Sequence, residues 1–132
     1  MVPDRLLLVE AATALNSKLV SLPRLEIMGF LVDAAPDGIE YRELKAGLGM
    51  SDGKLVTNLK SLADMGYLVA KRAKVERKKL TVYFLTPDGL AAWHQTRRWL
   101  QSWLANDNDN RTSSESAGLL QATERQARHR RV

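Results

Sequence analysis

Apolar positions follow a helical rhythm along most of this chain and switch to alternation over one short stretch. In residues 3–19, Leu8, Ala12, Leu15 and Leu19 fall at i, i+4, i+7 and i+11, which predicts one helix with a single stripe. Pro3 suits its first turn. The stripe would cover the domain's own core or meet a second subunit. Ser21-Leu22-Pro23 interrupts it and starts a core helix through Leu25, Met28, Phe30, Leu31 and Val32, ending near Asp33. Residues 34–38, AAPDG, form a turn by composition, and Ile39 fits a short strand.

The chain is organised around residues 40–66. A helix over 41–46 turns Leu44 inward, and Gly47 and Gly49 punctuate a turn. Ser51 is placed to cap a second helix, with Asp52 in its first turn where the helix dipole favours negative charge. Leu55, Leu59, Leu62 and Met65 point one way. Lys54, Thr57, Lys60 and Ser61 point roughly the other way, with Asn58 on the flank. Small polar and cationic side chains of this kind suit base edges and phosphates. Two helices around a glycine-containing turn are the plan of a helix-turn-helix, and equally of a helical hairpin inside a core.

After Gly66 the period becomes two. Residues 67–74, YLVAKRAK, and 80–86, LTVYFLT, read as antiparallel strands. The loop between them, VERKK at 75–79, lacks Asn-Gly or Gly-Gly, so a connection longer than two residues is expected. Thr86, Pro87 and Asp88 then open a last helix. On it Trp93, Leu100 and Leu104 lie along one line, widened by Thr96, Trp99 and Trp103. Such a broad aromatic face points to a second subunit, to packing on the first helix, or to both. From Asn106 the chain turns polar and repetitive, which reads as linker. It closes on an arginine-rich segment with Arg125, Arg128, Arg130 and Arg131, either a solvated tail or a non-specific DNA contact. The expected organisation is a domain over 1–105 and a tail over 106–132.

Charge sharpens this picture. The net charge is +5, but residues 1–70 hold seven Lys/Arg against nine Asp/Glu, while residues 71–84 hold six against one. The basic excess sits in the predicted hairpin, directly after the helix-turn-helix, and admits nucleic acid as partner. No cysteine is present, which removes disulfides and thiol-based metal sites. His94 and His129 make no metal motif, so no metal or cofactor is expected. No apolar run approaches the roughly 18 residues of a membrane span, and a cytoplasmic location is expected. His94 has no acidic partner nearby in sequence, and no convergent set of nucleophile, base and ligands stands out, so an enzyme is not expected.

The stretch YRELKAGLGMSDGKLVTNLKSLADMGYL followed by LTVYFLTPDGLAAW resembles the small winged-helix transcriptional regulators of bacteria and archaea, close to the MarR-like and ArsR-like groups. The carrying features are LGMSDGKL, the exit through Leu59, Leu62, Met65, Gly66, Tyr67 and Leu68, and Thr81, Tyr83 and Leu85 to Gly89. The resemblance covers roughly residues 23–104. It departs at the wing, which lacks glycine or proline at its tip, and in the tail, which has no counterpart. It implies a mainly α fold with a small β-hairpin, a winged helix-turn-helix with N- and C-terminal dimerisation helices. It also implies a homodimer that binds double-stranded DNA and regulates transcription, most simply as a repressor. Ser51, Lys54, Thr57, Asn58, Lys60 and Ser61 would then face a major groove, with Thr57, Asn58 and Ser61 reading bases. Lys71, Arg72, Lys74, Arg77, Lys78 and Lys79 would hold the DNA backbone. Leu8, Ala12, Leu15, Leu19, Trp93, Thr96, Trp99, Leu100, Trp103 and Leu104 would form the dimer interface. A small-molecule effector would sit between the tryptophan helix and the DNA-binding lobe. A winged helix used for protein contact, or a chromatin-like non-specific binder, is the alternative.

Overall fold

The computed structural model describes residues 5–105. Pro3 and the tail over 106–132 lie outside the described residues. The order is α1 (Arg5–Ala12), a 3-10 turn (Ser17–Leu19), α2 (Leu22–Ala34), β1 (Ile39–Glu40), α3 (Tyr41–Leu48), α4 (Asp52–Asp64), β2 (Leu68–Val75), β3 (Lys78–Leu85) and α5 (Pro87–Ala105). The strands form one antiparallel sheet in the order β1-β3-β2. Helices α2, α3 and α4 close over its inner face. This is a winged helix: a three-helix helix-turn-helix core with a β-hairpin as the wing.

The core is built from the predicted stripes. Ile27, Met28 and Leu31 of α2, Leu44 of α3, Leu55, Leu59 and Leu62 of α4, and Leu68 of β2 are buried together. Burying each such side chain contributes roughly 1.5–3 kcal/mol. The caps also fall where composition put them. Ser21 Oγ accepts from the Arg24 N–H, and Ser51 Oγ from the Lys54 N–H. Thr86 Oγ1 accepts from the Gly89 N–H at 3.0 Å and donates to the Gly66 carbonyl at 2.6 Å, fixing the start of α5 to the end of α4.

Three expectations need correction. The N-terminal helix does not run to Leu19. It stops at Ala12, because Thr13 Oγ1 donates to the Glu10 carbonyl and the backbone then bonds i to i−3 through Leu15. Asn16 next caps the 3-10 turn by accepting from the Lys18 N–H, and its amide also donates to the Tyr67 hydroxyl. Leu19 thereby leaves the α1 stripe and enters the central core. Second, Gly47 lies inside α3 rather than in the turn. The helix ends instead at Gly49, whose φ of 65° is left-handed and whose N–H donates to the Lys45 carbonyl.

Third, the wing loop is not five residues long. The strands continue to Val75 and Lys78, and the connection is the two-residue turn Glu76-Arg77, at φ 50° and 68°. Both central residues sit where a tight hairpin of right-handed twist requires them. Non-glycine residues enter that region at a cost that the eight-pair ladder from Leu68↔Leu85 to Val75↔Lys78 offsets.

Candidate nucleic-acid interface

Helix α4 presents a continuous outer face. Leu55, Leu59 and Leu62 are buried, and Lys54, Thr57 and Lys60 are exposed opposite them, with Ser61 partly so. Ser51 is exposed, and its oxygen already caps the helix. Two exposed residues of this face escaped sequence reading. Val56 is 51% exposed, and Gly53 has nothing within 4 Å of where a Cβ would stand. Their signal was positional, since neither lies on the leucine stripe. Val56 adds an apolar surface of the kind that meets a thymine methyl.

The start of α4 is tied to α3. The Tyr41 hydroxyl donates to Asp52 Oδ1 at 2.6 Å, and Lys45 Nζ to Asp52 Oδ2 at 2.9 Å. The hydrogen bond from Tyr41, then that from Lys45, holds the Asp52 carboxyl below its usual range. The same bond to Asp52 pushes the Tyr41 phenol up to about 12. This pins the helix-turn-helix angle and spends the one acidic side chain of the first α4 turn on partners within the fold.

Asn58 does not stand free on the outer face. It is half-buried on the flank towards α2. Its Nδ2 donates to the Lys54 carbonyl at 2.8 Å, and its Oδ1 accepts from Arg24 Nε at 3.2 Å. The Arg24 contact spans 34 residues and has no sequence signature.

The wing divides its cations by register. Side chains alternate across the sheet, so Arg72, Lys74 and Lys79 continue the face that begins with Leu68, Tyr83 and Leu85 against the core. Lys71 and Lys78 lie on the opposite face, where Lys71 Nζ stands 5.2 Å from the centroid of the Phe84 ring. Arg77 is at the turn. All six are exposed. Lys74 directly opposes Lys79, and Arg72 opposes Thr81.

The residues expected at a dimer interface separate into three sets. Leu8, Leu19 and Thr96 are buried inside the single chain, with no surface to offer a partner. Leu8 lies beneath α5, where Trp99 Nε1 donates to the Leu8 carbonyl at 2.8 Å. Ala12, Leu15, Trp93, Trp99, Leu100 and Trp103 are partly covered. Trp99 stacks on Trp103 at 5.3 Å, and the Arg5 guanidinium lies over the Trp103 ring. Leu104 remains 65% exposed. The freest apolar surface on α1 is instead Leu6, Leu7 and Val9, off the stripe singled out by periodicity. Between α2 and α5 lies a cleft of about 180 Å³, lined by Leu25, Trp93, Thr96, Leu100 and Leu104, with Arg97 and Gln101 at its polar edge. His94 is exposed on α5. Among the described residues, no group of His, Asp and Glu is placed to hold a metal ion, and no helix is long and apolar enough to cross a membrane.

This fold and this polar, cation-flanked helix define a winged-helix DNA-binding domain. The family model described as "Winged helix DNA-binding domain" matches residues 23–104, and the chain belongs to that family, one of DNA-binding domains rather than enzymes. No curated protein is similar in sequence. Solved structures of MarR-like regulators share the fold. A putative MarR-like transcription regulator from Bacillus cereus is 17% identical, with a TM-score of 0.61 over 95% of this chain and 88% of that one. The transcriptional repressor CouR, bound to a 23-mer DNA duplex, is 17% identical, with a TM-score of 0.65 over 91% and 80%. BpsR of Bordetella bronchiseptica, whose DNA binding is regulated by 6-hydroxynicotinic acid, is 12% identical, with a TM-score of 0.60 over 93% and 92%.

Proposed function

We propose that this protein is a sequence-specific transcriptional regulator that binds operator DNA as a homodimer and acts as a repressor. The observations that carry the reading are the exposed polar and cationic outer face of α4 and the exposed Arg72, Lys74 and Lys79 on one face of the wing. Thr57 and Ser61, with Asn58 on their flank, read base edges in the major groove, and Lys54 and Lys60 hold phosphates on either side. Arg72, Lys74, Arg77, Lys78 and Lys79 extend the contact along the backbone or into a minor groove. The domain is residues 1–105, and 106–132 is an appended tail.

A homodimer accounts for the exposed apolar surface of Leu6, Leu7, Val9 and Leu104, which no water-facing role explains. Two copies joined there carry their recognition helices about one DNA turn, roughly 34 Å, apart. The cleft beside Trp93 suits a small aromatic acid, with its ring on the apolar wall and its carboxylate at Arg97. Light scattering of the parent and of Leu7→Glu tests the assembly. A dimeric parent and a monomeric variant with weakened DNA binding are expected, and a monomeric parent that binds DNA fully rejects the dimer.

A further inference from the structure

Arg24 ties three elements together. Its backbone N–H donates to Ser21 Oγ at the start of α2, while its guanidinium donates from Nη1 to the Lys18 carbonyl in the 3-10 turn and from Nε to Asn58 Oδ1 on α4 at 3.2 Å. The other end of the Asn58 amide donates to the Lys54 carbonyl at 2.8 Å. An asparagine amide can sit two ways round in the same space. Here one way alone is compatible with its neighbours. Reversing it would set NH2 against the guanidinium N–H and C=O against the Lys54 carbonyl, two repulsive contacts in place of two hydrogen bonds. In this orientation Asn58 keeps one N–H and one oxygen lone pair uncommitted, the donor and acceptor that a bidentate contact with an adenine edge requires.

We propose that Arg24 is a positioning residue for sequence readout: it locks the Asn58 amide in one orientation and thereby fixes which base Asn58 accepts. The proposal rests on the reading of α4 as a recognition helix. Arg24 lines an open cleft with Lys18, Ser61, Asp64 and Met65. Its Nε and Nη1 are both engaged within the fold, so its effect on readout runs through Asn58. An arginine is needed here because a single side chain must donate to both Lys18 and Asn58. A lysine carries the charge without the planar fork.

The test uses the full chain and random-duplex selection for the parent, Arg24→Met, Arg24→Lys, Asn58→Ala and the double variant, with the salt dependence of binding measured for each. Arg24→Met is expected to flatten preference at the same base pair as Asn58→Ala, by about fivefold or more. Other positions and the salt slope stay unchanged, the double variant adds nothing further, and Arg24→Lys restores the preference in small part only. An unchanged base profile with a slope shallower by about 1.8, one phosphate for each subunit of the dimer, makes Arg24 a phosphate contact and overturns the proposal. Uniform weakening together with a lowered melting temperature also overturns it, leaving a role in folding alone. If the parent enriches no sequence, the regulator reading itself has failed. Side-chain amide exchange in isotope-labelled protein separates the two cases. Faster exchange at Asn58 in Arg24→Met supports the lock without DNA, and equal rates overturn it whatever the DNA result.

Discussion

The wing offers a test in which stability and DNA binding move in opposite directions. Arg72, Lys74 and Lys79 crowd one sheet face, and Lys74 and Lys79 are directly opposed across the ladder. Like charges so placed destabilise a hairpin by a few tenths to about 1 kcal/mol. Replacing all three by threonine removes the repulsion, installs a good strand former, and puts Arg72→Thr across from Thr81, a favourable cross-strand pair. The triple variant is therefore expected to melt a few degrees above the parent at low salt, with the gap narrowing as salt screens the parent's charges. If each side chain neutralises one phosphate, six contacts are lost per dimer and the salt slope of DNA binding becomes shallower by about 5.4. A fourfold rise in salt then weakens the variant on the order of a thousandfold less than the parent. Thermal melts and fluorescence anisotropy against one duplex, both over a salt series, read the two effects. A variant less stable than the parent at low salt, with an unchanged slope, refutes the reasoning. The cations would then be structural and not held in place for a polyanion.

Other consequences follow from particular contacts. Arg77 sits at φ 68°, so Arg77→Gly should relieve backbone strain and stabilise the domain by about 0.5–1 kcal/mol in urea unfolding, at the cost of one phosphate contact; a loss of stability would show that the turn is not strained. A Cβ on Gly89 would stand 2.2 Å from the Tyr67 carbonyl oxygen, so Gly89→Ala must lift α5 from the residue that leads into β2, costing about 1–3 kcal/mol in the same assay. No change there would mean that α5 does not seat on that carbonyl. Tyr41 is held protonated to about 12 from an ordinary 10.0, so its contribution to stability is full below pH 10 and is lost as pH rises through 12. Asp52 acts at the other end: its lowered pKa adds stability near neutrality that is lost as pH falls through that pKa. Phenolate absorbance should show one tyrosine titrating near pH 12, absent in Tyr41→Phe; an unchanged titration would break the assignment.

Local chemistry made much of this fold legible. Ser51 and Thr86 announce their helices because a side-chain oxygen before a helical stripe has one obvious use. Leu55, Leu59 and Leu62 announce their face because burial is periodic. Where reading failed, the deciding term was not local periodicity. Nothing in VERKK signals that Glu76 and Arg77 will accept positive φ; the long ladder on either side imposes it. The stripe through Leu8 and Leu19 seemed continuous, yet Thr13 and Asn16 bond to nearby backbone and break it, sending Leu19 into the core and leaving Leu6, Leu7 and Val9 exposed. Of the candidate interface, residue types on α4 and the basic wing were visible in sequence. The hold of Arg24 on Asn58 was not, because it exists only once α2 and α4 have packed. The division of the wing cations between two faces depended on a register that the turn length sets.

The most direct test of the central claim is selection of the purified protein against a pool of random DNA duplexes, sequenced at two salt concentrations. The account predicts an enriched inverted repeat with half-sites about one helical turn apart, bound more weakly at the higher salt. Salt-sensitive binding without enrichment would contradict sequence-specific regulation, and absence of binding at low salt would contradict the DNA interface on α4 and the wing altogether.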